Sequence, residues 1–203
     1  MLNQKELDEI KELLEQAQNP LFFFDNDADG LCSFLLLQRA IGRGKGVAIK
    51  SDLNERYFRK VDELNPDAIF VLDKPKITNK FIEKVLEKNL PLTWIDHHEI
   101  KPTNTEEEIK PEFFEKINHF NSFPSSEPVT YLCYNVFKQK KEQWLALIGC
   151  VGDGYMPDFA QEFSKEYPEL INSELQGLDA IYKTKIGDVV RILNLGLKDT
   201  TTN

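Results

Sequence analysis

The sequence predicts an α/β fold, with a parallel β-sheet flanked by helices and followed by a helical C-terminal part. Through residue 100, short apolar runs typical of buried strands alternate with segments whose apolar residues recur at helical spacing. Three of the apolar runs, Leu21–Phe24, Ala68–Leu72 and Leu92–Ile95, are followed at once by aspartate. Because parallel strands end at a common edge of their sheet, we expect these carboxylates to meet there.

Each element up to residue 100 is predicted from its own pattern. The first helix carries apolar residues at positions 7, 10, 13, 14 and 17 and stops at Asn19-Pro20. Glycines at positions 42, 44 and 46 end the second helix, and Asn65-Pro66 ends the third. The predicted elements are, in order, helix Gln4–Gln18, strand Leu21–Phe24, helix Gly30–Arg43, strand Val47–Ile49, helix Tyr57–Leu64, strand Ala68–Leu72, helix Thr78–Lys88 and strand Leu92–Ile95.

Beyond residue 100 the pattern becomes mainly helical. We predict a polar surface segment over Glu106–Glu115, beginning with a solvated helix start at residues 106–108, and a last strand at Ile117–Phe120. The predicted helical segments are Pro128–Lys138, Glu142–Gly152, the more polar Asp158–Tyr182, and Lys185–Leu197; residues 199–203 form a frayed end or a point of truncation. Residues 1–155 are expected to form one domain. Residues 156–203 are expected to be a helical extension, with the start of a truncated second domain as the open alternative.

Composition narrows the class of protein. The chain has 203 residues, 41% of them hydrophobic, and a net charge of −9, which suits a globular domain and disfavours wholesale coating of nucleic acid. No apolar run approaches the roughly 20 residues needed to span a bilayer, and the N-terminus lacks the apolar segment of a signal peptide. Cys32, Cys133 and Cys150 have no metal-like spacing. We interpret them as core residues of a protein in the reducing cytoplasm.

The residues at the predicted strand ends are those of a metal site. Asp25, Asp27 and Asp29 follow the first strand, Asp73 follows the third, and Asp96-His97-His98 follows the fourth. Carboxylate oxygens mixed with imidazole nitrogen suit Mn²⁺, Mg²⁺ or Zn²⁺.

Together with Gly152-Asp153-Gly154, these motifs resemble motifs I to IV of the DHH phosphoesterase superfamily, in the family's order and with similar spacing, over roughly residues 20–155. The sequence Asp25-Asn26-Asp27-Ala28-Asp29-Gly30 is most similar to the RecJ-like branch. Two features depart from that pattern. Phe23 and Phe24 stand where RecJ-like proteins often carry a histidine, and the chain lacks the glycine-rich signature of the usual C-terminal substrate-binding domain.

The resemblance implies a two-metal phosphoesterase site holding two Mn²⁺ or Mg²⁺ ions. Asp73 would bridge the ions, Asp25 and Asp27 would divide between them, and Asp29 would be a third ligand or an outer support. His97 and Asp153 would complete one shell. His98 would face the substrate and Asp96 would orient an imidazole. Lys74, Lys76 and Arg43 are the candidate phosphate contacts.

Ordinary structural roles compete with several of these assignments. Asp29 could cap the Gly30–Arg43 helix, and Asp73 or Asp153 could belong to plain turns. His119 is favoured as a structural residue, and the glycines around Arg43 as a simple helix stop.

The predicted function is hydrolysis of phosphodiester bonds in single-stranded DNA or short oligonucleotides. The alternatives are a non-catalytic RecJ-like replication or repair scaffold and a small-molecule phosphodiesterase or pyrophosphatase. The pyrophosphatase motif has a histidine where this chain has Leu21, which disfavours that option. The partners expected are a single-stranded nucleic acid or nucleotide and no membrane. A replication or repair protein and a second copy of the chain are left open.

Overall fold

The computed structural model of the protein describes residues 1–100 and 109–199. Within these residues one sheet of five parallel strands has the order β2-β1-β3-β4-β5. The strands are β1 (Pro20–Asp25), β2 (Lys45–Ile49), β3 (Ala68–Leu72), β4 (Leu92–Asp96) and β5 (Asn118–Asn121). The predicted α/β class is confirmed, and each predicted strand lies within two residues of its observed bounds.

The strand order places a crevice at the carboxyl ends of β1 and β3. The chain passes from β1 outward to β2, and then returns across β1 to form β3 on its other side. Where the order reverses in this way, the connections leave in opposite directions and open a space above the strand ends. Asp25 ends β1 and Asp73 follows β3 directly, so both aspartates lie at this crevice.

Ten α-helices surround the sheet in the part of the chain that the structure describes. Asn3 begins the first with a reciprocal cap to Glu6, and Asp27 caps the second, which therefore starts two residues before the predicted Gly30. The helices are α1 (Gln4–Gln16), α2 (Ala28–Ile41), α3 (Phe58–Leu64), α4 (Asn79–Glu87), α5 (Pro111–Phe114), α6 (Val129–Phe137), α7 (Gln143–Gly152), α8 (Ala160–Glu166), α9 (Leu178–Lys183) and α10 (Lys185–Lys198).

Two hydrophobic cores lie on the two faces of the sheet. Along β1, Phe22 and Phe24 point into one core and Leu21 and Phe23 into the other, as the two-residue period of a strand requires. The first core packs against α1, α2, α6 and α7, and it continues into residues of α8, α9 and α10. The second core packs against α3, α4 and α5. Because β1, β3 and β4 are covered on both faces, their sequences are almost wholly apolar, whereas the edge strands β2 and β5 carry polar residues.

The C-terminal part differs from the prediction of a helical segment over Asp158–Tyr182. Residues 167–177 lie outside the α-helices, between α8 and α9. Tyr167 precedes Pro168, which disfavours helical backbone, and Gly177 adopts a φ of 54° just before α9. The helix start predicted at residues 106–108 and the tail from residue 200 lie outside the described residues. The rest of the predicted surface segment is not wholly exposed, because Ile109 and Phe113 are buried in the second core.

The three cysteines are buried and unpaired, as predicted. Within residues 1–100 and 109–199, no helix combines the length and the apolar character needed to cross a membrane.

Candidate metal centre

The loop after β1 holds its aspartates in a fixed geometry. The Asp27 carboxylate accepts a hydrogen bond of 2.9 Å from the Gly30 backbone N–H and so caps α2. The first turn of α2 lies against the end of β1 so closely that a Cβ on Gly30 would be 2.4 Å from the Asp25 carbonyl oxygen. Only glycine allows this approach, and it brings Asp25 and Asp27 to the sheet edge together.

Asp73 lies at the centre of the site. Its backbone has a φ of 57°, a left-handed conformation that Asp and Asn tolerate better than most residues. The side chain is almost fully buried. Burial, and then the charges of the carboxylates around it, raise the pKa of Asp73 well above its ordinary value.

His97 connects Asp73 to the carboxylates on the far side of the site. Its Nε2 atom is 3.3 Å from the Asp73 carboxylate and 4.0 Å from that of Asp29, while its Nδ1 atom is 3.9 Å from the carboxylate of Asp153. Asp153 directly follows α7, so a helix end joins the strand ends here. Burial lowers the pKa of His97, which favours the neutral imidazole that binds metal ions.

Asp96 orients His98. The fully buried Asp96 carboxylate is 2.8 Å from Nδ1 of His98 through one oxygen, and its other oxygen accepts the His98 backbone N–H at 3.1 Å. The hydrogen bond that the His98 ring donates to Asp96 raises the pKa of His98. Asn121, at the end of β5, donates to the His98 carbonyl at 2.9 Å. Asp96 therefore orients the His98 ring, and Asn121 fixes the His98 backbone.

The described residues contain three groups of potential metal ligands, each with its ligand atoms within 4.8 Å of one another. They are Asp25, Asp27 and Asp73; Asp73, His97 and His98; and Asp29, His97 and Asp153. Asp73 belongs to two of these groups, and so does His97. The donor set fits a divalent cation because buried carboxylates with raised pKa values lack compensating charge, and because mixed oxygen and nitrogen donors suit Mn²⁺.

Asp29 has a structural role that the sequence did not indicate. Its two carboxylate oxygens accept the backbone N–H groups of Val129 and Thr130, at 3.0 and 2.7 Å, and so cap the start of α6. The alternative that Asp29 caps α2 is wrong, since Asp27 does so. Burial raises the pKa of Asp29 to about 7, while the hydrogen bonds from Thr130 oppose that rise.

The three basic residues predicted as phosphate contacts lie in different places. The Lys74 ammonium group is buried at the site, 2.8 Å from the Asp25 carboxylate. Lys76 is 3.6 Å from Asp52, away from the ligand groups. Arg43 follows α2 and precedes β2, at the opposite edge of the sheet, where its guanidinium group donates to carbonyl oxygens at the end of α1. The structure therefore does not bring Arg43 to the site, and its glycine neighbourhood acts as a helix stop.

The sequence analysis missed a contribution from α10. The Asn194 side chain accepts the Ala28 backbone N–H at 3.0 Å, and the Asn26 side chain donates to the Leu197 carbonyl at 2.9 Å. Both contacts fix the acidic loop from a helix far away in the chain. Nothing in the local sequence distinguishes Asn194 from any polar residue of an amphipathic helix.

His119 has the structural surroundings that were favoured for it. Its ring packs against Trp94 and Phe114, with centroids 4.4 and 5.2 Å away, and lies outside the three ligand groups.

No protein-family model matches the sequence, and no curated protein is significantly similar to it. Solved structures share its fold. An exonuclease RecJ bound to manganese superposes with a TM-score of 0.57 at 19% identity, over 75% of this chain and 44% of that one. The DHH domain of a member of a family of ribosomal proteins superposes with a TM-score of 0.66 at 14% identity, over 94% of this chain and 51% of that one. CDC45 from Entamoeba histolytica gives 0.52 at 17% identity, over 75% and 34%. The chain thus corresponds to about half or less of each.

Proposed function

We propose that this chain, whose fold is that of the RecJ-like DHH domains, is a metal-dependent phosphodiesterase acting on single-stranded DNA or short oligonucleotides. The observation that carries the proposal is the shared position of Asp73. It belongs to the ligand group formed with Asp25 and Asp27 and to the group formed with the histidines. One carboxylate common to two adjacent groups is the arrangement that a pair of divalent ions requires.

The residues would divide between two Mn²⁺ or Mg²⁺ ions. Asp25, Asp27 and Asp73 form one ligand group and would hold the first ion. Asp73 and His97 share a second group and would hold the other ion, with Asp153, which is grouped with His97, as a further ligand. Bound ions supply positive charge for the transition state and lower the pKa of a coordinated water. The Asp29 carboxylate is 4.0 Å from His97, but both of its oxygens accept backbone N–H groups at the start of α6. We therefore assign Asp29 a supporting role, in which it holds α6 and α2 together at the site.

His98 is the candidate proton donor. With its Nδ1 atom held by Asp96, its Nε2 atom is the nitrogen left to carry a proton to the leaving oxygen. The raised pKa of His98 keeps that proton available near neutral pH. Lys74 stays beside Asp25 as the phosphate contact at the site. Arg43 is not part of the proposed site.

The test is hydrolysis by the purified chain of a panel containing single-stranded DNA, a dinucleotide RNA, a cyclic dinucleotide and pyrophosphate. We expect Mn²⁺ to support more activity than Ca²⁺, since the donors include imidazole, and EDTA to abolish it. His98→Gln should reduce turnover, and Asp8→Asn, a surface change on α1, should not. Full activity after exhaustive chelation would disprove the metal mechanism. Preference for pyrophosphate would reassign the substrate class.

A non-catalytic replication or repair scaffold is the second candidate. The similarity to CDC45 favours it, and so do the partners that Asp25 and Asp29 already have within the chain. Elemental analysis separates the two proposals, because a scaffold that has lost its site would purify without stoichiometric metal and bind none on titration with Mn²⁺.

A further inference from the structure

A groove runs along the outer edge of the sheet, beside β2. It has a volume of about 710 Å³ and lies between β2, α3 and the last turn of α10. Three lysines line it, Lys45, Lys50 and Lys60, together with the side chain of Asn26. We call this feature the β2 groove.

The β2 groove is positively charged on a chain whose net charge is −9. Lys60 pairs with Glu63 at 2.6 Å. Lys45 and Lys50 are exposed, and neither forms an ion pair with any residue in the described part of the chain. The acidic residue in the lining is Asp199, at the end of α10. Unpaired ammonium groups at the two ends of one groove favour an extended ligand that carries several negative charges.

The backbone of β2 adds hydrogen-bonding groups to this surface. β2 is the outermost strand, paired through one edge with β1, and its other edge pairs with no strand among the described residues. An unpaired strand edge presents N–H groups along its length. Such groups donate to phosphate oxygens as readily as side chains do.

The groove leads to the metal centre. Ile49, the last residue of β2, is opposite Asp25, and Lys50 follows it at the same edge of the sheet. Asn26 lines the groove and stands in the chain between Asp25 and Asp27. The five residues of β2 extend over about 16 Å from this point. A linear polyanion lying in the groove would therefore end at the aspartates.

We propose that the β2 groove binds the phosphodiester backbone of a single-stranded nucleic acid and leads one end of it to the metal centre. The choice of a nucleic acid rests on the proposed function. Lys45 and Lys50 contact phosphates, and Lys60 contributes less because Glu63 already neutralises it. Few contacts of this kind suit short oligonucleotides better than long polymers.

The experiment measures binding of a fluorescein-labelled oligothymidylate by anisotropy, in EDTA, at salt concentrations from 50 to 200 mM. With three phosphate contacts the wild-type affinity should fall about 20-fold over that range, since the slope for single strands is about −0.7 per contact. Lys45→Gln/Lys50→Gln should bind more weakly at 50 mM and lose only about 3-fold. The matched control is Lys116→Gln/Lys165→Gln, two exposed lysines outside the groove, which should behave as wild type.

The result separates the groove from the proposed activity, because binding is measured without metal. Lysine-dependent binding by a protein that hydrolyses nothing supports the groove and rejects the phosphodiesterase. Equal losses in both double variants, or unchanged binding in Lys45→Gln/Lys50→Gln, overturn the groove. A third result would also overturn the groove: neither protein binds the oligonucleotide, and sedimentation shows a dimer for the wild type but not for Lys45→Gln/Lys50→Gln. In that case β2 would pair with a strand of a second copy.

Discussion

Replacing Asp73 by Asn separates metal binding from folding. The amide keeps the size of the carboxylate and tolerates the left-handed backbone at φ 57°, whereas Ala would add about 1–2 kcal/mol of strain there. Without metal, the variant should unfold at a higher temperature than wild type. Burial and the neighbouring carboxylates raise the pKa of Asp73, so its ionised form destabilises the fold near neutral pH.

In the presence of Mn²⁺, the wild type should unfold at a higher temperature than Asp73→Asn. An ion present at 100 times its dissociation constant stabilises a protein by about 2.7 kcal/mol. For a chain of this size that corresponds to a rise of about 5–11 °C in the unfolding midpoint. Asp73→Asn removes the ligand common to two groups, and its midpoint should rise by less than a third as much.

The assay is thermal unfolding followed by circular dichroism, in EDTA and across a titration of Mn²⁺, with hydrolysis measured on the same samples. Asp8→Asn makes the same chemical change on the exposed surface of α1 and should match wild type in both conditions. If Asp73→Asn gains as much stability from Mn²⁺ as wild type does, or keeps more than a tenth of wild-type turnover, the bridging role is refuted.

Three further predictions follow from contacts around the site. Gly30→Ala should lower stability by about 1–3 kcal/mol in urea denaturation, because the new Cβ would meet the Asp25 backbone at 2.4 Å. Asn194→Ala should weaken Mn²⁺ binding by about tenfold in calorimetric titration, since the Ala28 N–H and the acidic loop lose their support. His119→Phe should make stability less sensitive to acid. Burial lowers the pKa of His119 in the folded state. The stability that the neutral ring contributes is therefore fully present above the pKa of the unfolded chain, about 6.5, and is lost as the pH falls below that value.

Each of these has a control within the chain. Gly196→Ala, where a Cβ would meet nothing within 4 Å, should be neutral or slightly stabilising. Asn194→Ala must change metal affinity by more than the surface variant Asp8→Asn does, or the support from α10 is incidental. For His119, all other titrating groups are common to both proteins. Equal losses of unfolding free energy between pH 7.5 and 5.0 would show that the histidine does not contribute.

The fold was predictable because its signals are local. Each of the strands β1 to β4 contains a short apolar run with a turn or an aspartate beside it, and the helices α1, α2 and α4 have regular apolar spacing. The observed helix bounds differ from the predicted ones where a capping residue sets the first turn. For example, Asp27 caps α2, which starts at Ala28 and not at the predicted Gly30. The prediction of one helical segment over residues 158–182 is wrong because residues of helical type lie on both sides of Pro168 and Gly177, while these two residues interrupt the helical backbone.

The candidate site was predictable only as a set of residue types at strand ends. Asp25, Asp73 and His97 come together because parallel strands share an edge, and that follows from alternation alone. The hydrogen-bond and ion-pair partners of these side chains could not be predicted from that alternation. Whether the Asp29 oxygens face a cation or the start of α6 depends on a helix 100 residues away. Lys74 follows Asp73 and is the better phosphate candidate from the sequence, but its pairing with the Asp25 carboxylate is not evident from the sequence.

The hydrogen bonds between α10 and the acidic loop after β1 also set the order in which the site can be completed during synthesis. All eight aspartates and histidines of the four motifs have been made once Asp153 leaves the ribosome. The Ala28 amide and the Asn26 side chain nevertheless find their partners only at Asn194 and Leu197. Domains emerge N-terminus first, so an N-terminal core could condense while its loop is still loose. A nascent chain arrested before α10 should therefore bind Mn²⁺ poorly, and translation of α10 should restore that binding.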